Sequence, residues 1–469
     1  DHRRAALLVA QGEAQHNAGD RAYRPTLLEA VDLALELGDG AVAARAALVD
    51  QRTQTFMGVP DRERVAVLER VLEGLGAGDS SARARVLVAL ATELHFGQDP
   101  RRHELAREAV AVARRIGDPA SLAHVLGLAG FALWDPDTLP ERVAMAAELS
   151  TLARRLGDPV IQVHANLTVY YTAALQGDLA RARTALAEAD RLATELGQPA
   201  LRLRTAYAQN GFAELEGRFD DAERFAVEGF GHARALDNPD GPGVYEMQLG
   251  VVRLMQGRPA DAIGHSELAI ERLPAHVTIR AFVAWGYAEA DRHAEAREII
   301  EGLGGVALTH IALGTYLTIG TFAVLSRAAV ALGDVELSRR LYDELLPRAE
   351  EMALGQTTAF GPVAHTLGRL AVVLGDDGAA AGHFARAAEL EERTGARGVL
   401  AETRLEWARL LLRRGGAGDR EQAGKLIAAA AALAAELDLP AFAAQAAELS
   451  RAWDDTPARP DPAVNPGAP

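Results

Sequence analysis

One interval recurs along this chain. Helix-like stretches end at Leu37-Gly38-Asp39, Ile116-Gly117-Asp118-Pro119, Leu156-Gly157-Asp158-Pro159, Leu196-Gly197-Gln198-Pro199 and Leu236-Asp237-Asn238-Pro239. With Asp79 added, the third residues fall at 39, 79, 118, 158, 198 and 238, in steps of 39 or 40. Leu354-Gly355-Gln356 and Thr394-Gly395-Ala396 read as two later endings, again 40 apart. A second punctuation lies between: Gly177-Asp178, Gly217-Arg218 and Gly257-Arg258, continued more loosely by Gly333-Asp334 and Gly375-Asp376. Length alone would suggest about three domains at roughly 150 residues each. A fixed period replaces them with stacked units that share one core.

Each unit reads as helix, short turn, helix, short turn. Gly accepts the left-handed conformation that closes a helix. Asp or Asn then caps the next helix, and Pro fits its first turn. Within Leu179–Leu196, the residues Leu179, Ala182, Leu186, Ala189, Leu192 and Ala193 share one face, and Arg181, Arg183, Glu188 and Arg191 the other. Composition agrees. The chain is alanine-rich and only 5% aromatic, which suits closely packed helices better than a β-sandwich. The expected fold is all-α: about eleven helical hairpins with ~40-residue repeats, wound as a right-handed superhelix. Residues 1–454 form the array, 436–453 its C-terminal capping helix, and 455–469 a disordered Pro/Ala-rich tail. The unit near Val277–Leu303 reads as shorter than the rest.

The grammar resembles the tetratricopeptide repeat. A turn Gly, a small residue five positions on and another seven further appear as Gly177…Ala182…Ala189, Gly217…Ala222…Gly229 and Gly257…Ala262…Ala269. Gly250 and Gly368 take the small position seven residues before the turn Gly, where two helices approach closely. Two stretches resemble something narrower. One runs from Gly117-Asp118-Pro119 through Trp134-Asp135-Pro136 to Leu156-Gly157-Asp158-Pro159. The other runs from Gly361-Pro362 through His383-Phe384 and Trp407-Ala408-Arg409 to Gly418-Asp419-Arg420. They look like the C-terminal repeat region of large bacterial signal-transduction ATPases, over about residues 81–453. In that family a P-loop module precedes the array, and the effector is a LuxR-type DNA-binding domain, a nucleotide cyclase or a kinase. None of those modules lies in this sequence.

Chemistry-bearing motifs are sparse. There is no Gly-x-x-x-x-Gly-Lys-Ser/Thr loop, His-Glu-x-x-His pair or Gly-x-Ser-x-Gly elbow. The single lysine, Lys425, reads as a solvent-facing helix residue. With no Cys there is no disulfide framework and no thiolate site. No cofactor, no metal site and no catalytic residue is expected. A net charge of −16 argues against direct nucleic-acid or membrane binding. No apolar run reaches a membrane span. Asp1-His2-Arg3-Arg4 opens no signal peptide, so the expected location is cytoplasmic, and the missing initiator Met reads as a fragment of a longer protein.

What remains is surface. In a tetratricopeptide array the first helix of each hairpin lines the concave face. The resemblance then places His164, Tyr171, Arg204, Tyr207, Glu214, Trp285, Arg327, His365 and Arg369 along a ligand or partner groove. Trp134 and Trp407 read as packing residues instead, and Tyr170 cannot share a direction with Tyr171. The expected function is a non-catalytic sensor or scaffold domain of a bacterial signalling or transcription-regulating ATPase. Its partner would be a protein, a peptide or a small-molecule effector, with the ATPase module upstream in the same chain. A free-standing protein–protein adaptor is the alternative, and a helical toroid enzyme the third reading.

Overall fold

A computed structural model describes residues 1–18, 20–49, 61–95, 99–274, 276–304 and 318–455. The reading of 455–469 as a disordered tail falls, from residue 456 on, outside the described residues. Among the described residues there are twenty-three α-helices and one two-stranded hairpin. In chain order the helices follow as α1 (His2–Asn17) and α2 (Tyr23–Glu36), α3 (Gly40–Val49) and α4 (Arg62–Leu75), α5 (Ser81–His95) and α6 (Arg101–Ile116). Next come α7 (Pro119–Ala132) and α8 (Leu139–Leu156), α9 (Pro159–Leu175) and α10 (Leu179–Leu196), α11 (Pro199–Glu216) and α12 (Phe219–Ala235). Then follow α13 (Gly241–Met255) and α14 (Pro259–Arg272), α15 (Val277–Glu289) and α16 (His293–Gly302), α17 (Thr318–Leu332) and α18 (Val335–Leu345). Strands β1 (Met352–Leu354) and β2 (Ala359–Pro362) precede α19 (Val363–Val373) and α20 (Asp377–Thr394), α21 (Leu400–Arg414) and α22 (Asp419–Glu436), and the final α23 (Pro440–Asp455). The described residues thus form an all-α array of eleven helical hairpins and one further helix, with the pair α15 and α16 shorter, as its sequence predicts.

The turn chemistry behaves as its residues require. Gly117, Gly157 and Gly197 sit at φ +75°, +68° and +65°. Asp118, Asp178, Asp334 and Asp376 each accept a hydrogen bond from an amide three residues on, at 2.9–3.1 Å. At the 237 position Asp replaces Gly and is still held at φ +47°. A left-handed residue with a Cβ costs roughly 1–2 kcal/mol. Asp237→Gly should therefore be neutral or stabilising by up to ~1 kcal/mol, while Gly157→Ala should cost about 1 kcal/mol. Urea denaturation of the two variants beside wild type checks both signs.

The described residues form two compact units. One holds residues 1–172 and 187–201, the other residues 173–186, 202–304 and 318–455. In the first, small residues let helices meet: Ala84, Leu87, Val88 and Ala91 of α5 join Ala106, Ala109 and Ala113 of α6 and Ala123, Leu126 and Ala129 of α7. Burial of a leucine such as Leu126, wholly removed from solvent, contributes about 1.5–3 kcal/mol.

The second unit shows the same close approach. A Cβ added at Gly368 would stand 2.6 Å from the Phe384 ring, and one added at Gly250 would meet Phe282. This unit also brings distant turns together. The Gly398 amide donates to the Leu215 carbonyl at 2.8 Å. Gly217 and Gly257 lie so near Leu437 and Ala441 that an added Cβ would come within 2.8 Å of each. Its early turns, after α11 and α13, therefore touch its late ones, before α21 and α23.

Candidate functional site

The second unit holds one element that its repeat period does not predict. Helix α18 stops at Leu345, where Pro347 enters a 3-10 turn, Leu346–Arg348. Proline has no amide hydrogen with which to continue a helix. The chain then runs extended, and β1 pairs antiparallel with β2: Met352 faces Pro362, Ala353 faces Gly361, and Leu354 faces Ala359, with Phe360 bulged out between. The reading of Leu354-Gly355-Gln356 as a helix ending is therefore corrected. Leu354 ends a strand, and the Gly355 amide bonds the Thr358 carbonyl at 2.8 Å.

The hairpin is buried, and the first helices of successive pairs hold it. Met352, Ala353, Leu354, Thr357, Thr358, Ala359 and Phe360 are all 5% exposed or less. Buried main chain must find partners, and here side chains supply them. Asn210 of α11 donates to the Thr357 carbonyl at 2.7 Å, and Gln248 of α13 makes a longer contact to the same oxygen at 3.4 Å. The Ala359 amide donates to Glu214 Oε2 at 2.8 Å, while Asn210 also donates to Glu214 Oε1 at 2.8 Å. Phe360 meets Trp285 of α15 edge-on, with ring centres 6.3 Å apart. Gly211 and Gly320 give the hairpin backbone room to approach α11 and α17. Burial drives the Glu214 carboxyl well above the usual range, although its two donors pull the other way.

Beside Trp285 lies an ionic cluster. Arg327 grips Glu402 with both Nη atoms, at 3.0 and 2.9 Å, and its guanidinium covers the Trp285 ring at 4.9 Å. Arg369 donates to Glu402 at 2.9 Å and lies 3.7 Å from Glu289, which accepts from Trp285 Nε1 at 3.1 Å. Burial would raise the Glu402 acid, but the two arginines outweigh it and hold Glu402 far below its ordinary range. Burial lowers His365 to about 3, so its ring is neutral.

A second buried acid extends the network. Thr403 Oγ1 lies 2.8 Å from His365 Nδ1, 3.0 Å from Glu391 Oε1 and 3.1 Å from the Val399 carbonyl. One hydroxyl has only one proton to donate. Glu391 is wholly buried and burial raises its acid well above the usual range, so it can carry a proton of its own. A raised folded-state value means stability is full below the ordinary glutamate range and is lost as pH rises toward the folded value. Glu391→Gln, an isostere with its own donor, should thus gain stability relative to wild type as pH rises from 5 to 8. Denaturation midpoints across that range measure it; a pH-independent difference contradicts the assignment.

The nine groove candidates divide. Arg327, His365 and Arg369 converge on Glu402, Trp285 lies under the Arg327 guanidinium, and Glu214 holds the hairpin. Tyr207 is 1% exposed and lies under Gly229 of α12, so its side chain fills a helix interface. Arg204 is half-buried on α11, and His164 half-buried on α9. In the first unit Tyr171 is 9% exposed, 4.9 Å from Trp134 and 4.8 Å from Tyr170. Trp134 also lies under the Arg142 guanidinium at 4.4 Å. Next to it, Asp135 takes Arg102 through both oxygens at 2.8 Å and pairs with His103. Burial lowers Arg142 to about 9. Trp134 and Asp135 thus fasten helices, and Trp407 is half-buried against two apolar clusters. Lys425 is exposed and pairs with Glu421 along its helix.

Sequence reasoning missed Asn210, Gln248, Glu289, Glu391, Glu402, Thr403 and the hairpin itself. One signal was available. Residues 346–362 put seventeen positions between two helices, and 352–364 carry no charge. A long uncharged connection in a compact array marks a loop with its own task.

Among the described residues no group of three or more His, Asp or Glu could hold a metal ion, and no helix is long and apolar enough to cross a membrane. No family model and no curated protein matches the chain. Solved structures similar in fold include a Rap protein complexed with competence and sporulation factor, at TM-score 0.48 and 13% identity over 78% of this chain and 99% of that one. Yeast Tom70 is similar at TM-score 0.34 and 12% identity, over 97% of each chain. A circular tandem repeat protein with novel repeat topology follows at TM-score 0.14 and 18% identity, again over 97% of each.

Proposed function

We propose that this chain is a non-catalytic protein-binding scaffold whose first helices hold a partner segment in extended form. One observation carries the reading: α11, α13, α15 and α17 already hold an extended segment of this chain, residues 352–362, partly through main-chain hydrogen bonds. Side chains that bond to main chain accept many sequences, which suits a binding module. Glu214 and Trp285 touch the held segment directly. Arg327 covers the Trp285 ring and meets His365 and Arg369 at Glu402. In its parent protein the array would report occupancy to an upstream signalling ATPase. Such coupling requires the partner to bind two states of the array with different affinity.

The test is a displayed-peptide library panned against the intact chain, with hits measured by fluorescence anisotropy. Micromolar binders that protect α11 to α19 from hydrogen exchange support the scaffold. A library that yields no binder, or binders that protect none of these helices, overturns it. The coupling to an ATPase is tested on the parent protein, where a binder should change the hydrolysis rate.

A further inference from the structure

The hairpin satisfies only half of the clamp that holds it. Asn210 and Gln248 both give their amide hydrogens to Thr357, yet Asn210 Oδ1 and Gln248 Oε1 are buried acceptors with no partner. The two side chains belong to α11 and α13, whose first-helix positions meet the same carbonyl. An unmet buried acceptor is costly and is met when an N–H reaches it. The tip is also the least enclosed part of the hairpin: Gly355 and Gln356 are partly exposed, while the strands on either side are buried. Its segment 352–362 has no charged side chain, and its one large aromatic, Phe360, is bulged out of the ladder to reach Trp285.

We infer that residues 352–362 are a built-in placeholder on a binding site for an extended, uncharged peptide with one aromatic residue. The inference rests on the scaffold reading and names its partner and its regulation. The incoming main chain takes the place of Thr357–Ala359. It offers a carbonyl to Asn210, an amide to Glu214, and further amides to the two empty acceptors. Its aromatic ring takes the seat of Phe360 against Trp285, between walls kept low by Gly211 and Gly320. Charged segments are disfavoured, because the seat is dry and the nearby charges of Arg327, Arg369, Glu402 and Glu289 already pair with one another. The hairpin competes in cis, so apparent affinity is reduced by the fraction of molecules in which the seat is open.

The probe is a fluorescein-labelled peptide with the sequence of residues 354–361, titrated into the intact chain. Phe360→Ala in the chain weakens the placeholder and leaves the clamp in place; it should tighten probe binding at least ~10-fold. Adding Asn210→Ala to that variant should undo the gain, as should replacing the probe's aromatic residue by Ser. Equal probe affinity for wild type and Phe360→Ala overturns the inference. If Phe360→Ala does not fold, hydrogen exchange on the wild-type chain decides instead. The Ala359 amide should exchange faster than the interior amides of α11; equal protection would make the hairpin a permanent part of the core and overturn the inference. Library binders that are insensitive to Asn210→Ala would also overturn it, yet leave the scaffold reading intact, because their partner would then sit elsewhere on the array.

Discussion

Glu402→Gln should destabilise the second unit by about 3–5 kcal/mol, the cost of removing one partner from a buried ion pair. Two guanidiniums depend on this carboxylate. Arg327 is 5% exposed and Arg369 9%, and the Glu402 side chain itself is 14% exposed. Water cannot replace the lost charge at either arginine. Glu289 can take up only part of the load, since it lies 3.7 Å from Arg369 and is itself a third exposed. Trp285 reports the event directly, because Arg327 covers its ring. Its fluorescence should shift at lower urea in the variant than in wild type. The effect belongs to the unpaired charges and not to lost volume. Replacing Glu402, Arg327 and Arg369 together by Leu or Met should therefore recover most of the loss. A triple variant no more stable than Glu402→Gln would contradict that assignment.

Gly398→Ala should cost about 1–3 kcal/mol or more, by overpacking. The Cβ it adds would fall on the Glu214 carbonyl oxygen, which is backbone and cannot swing aside. It would also part the Gly398 amide from the Leu215 carbonyl. That bond joins the start of the second unit to its end. The damage should spread to the hairpin, since Glu214 is the residue that accepts the Ala359 amide. Hydrogen exchange should therefore show faster opening at 352–362 as well as at α11. Gly382→Ala provides the contrast. Gly382 is an exposed position within α20 whose added Cβ meets nothing within 4 Å. That substitution should stabilise by up to ~1 kcal/mol through helix propensity alone. If both variants lose stability alike, close backbone approach at Gly398 is not the cause.

The acid and base limits of stability follow from the buried groups. His365 at about 3 and His124 and His276 at about 4 are neutral in the folded chain. Each folded value lies below the ordinary histidine value of 6.5, so each contributes stability that is present above that value and lost as pH falls below it. Glu402, also depressed, adds its loss below about pH 4.5. Glu214 and Glu391, both raised, act in the opposite direction as pH rises above the ordinary glutamate value. Stability should therefore be greatest between these limits.

The sequence alone settled whatever is local. A helix end is written in a Gly at positive φ, an Asp three residues before a free amide and a Pro in the first turn. Each of these acts within a few residues and repeats with the period. Eleven pairs, the shortened pair α15 and α16, and the close approach at Gly250 and Gly368 followed from such signals. The tetratricopeptide resemblance placed Trp285, Arg327, His365 and Arg369 on one groove face, but their burial beside Glu402 is not written in it.

Only the tertiary structure decided what fills and pairs that face. Asn210 and Thr357 stand 147 residues apart, and Arg327 and Glu402 75 apart. Nothing periodic links those positions, because each contact depends on where whole helices lie. The hairpin was misread for the same reason. Leu354-Gly355-Gln356 fits the local grammar of a helix end, but Pro347 had already stopped the helix. Buried against α11 and α17, the segment could satisfy its main chain only as strands held by side chains from distant repeats.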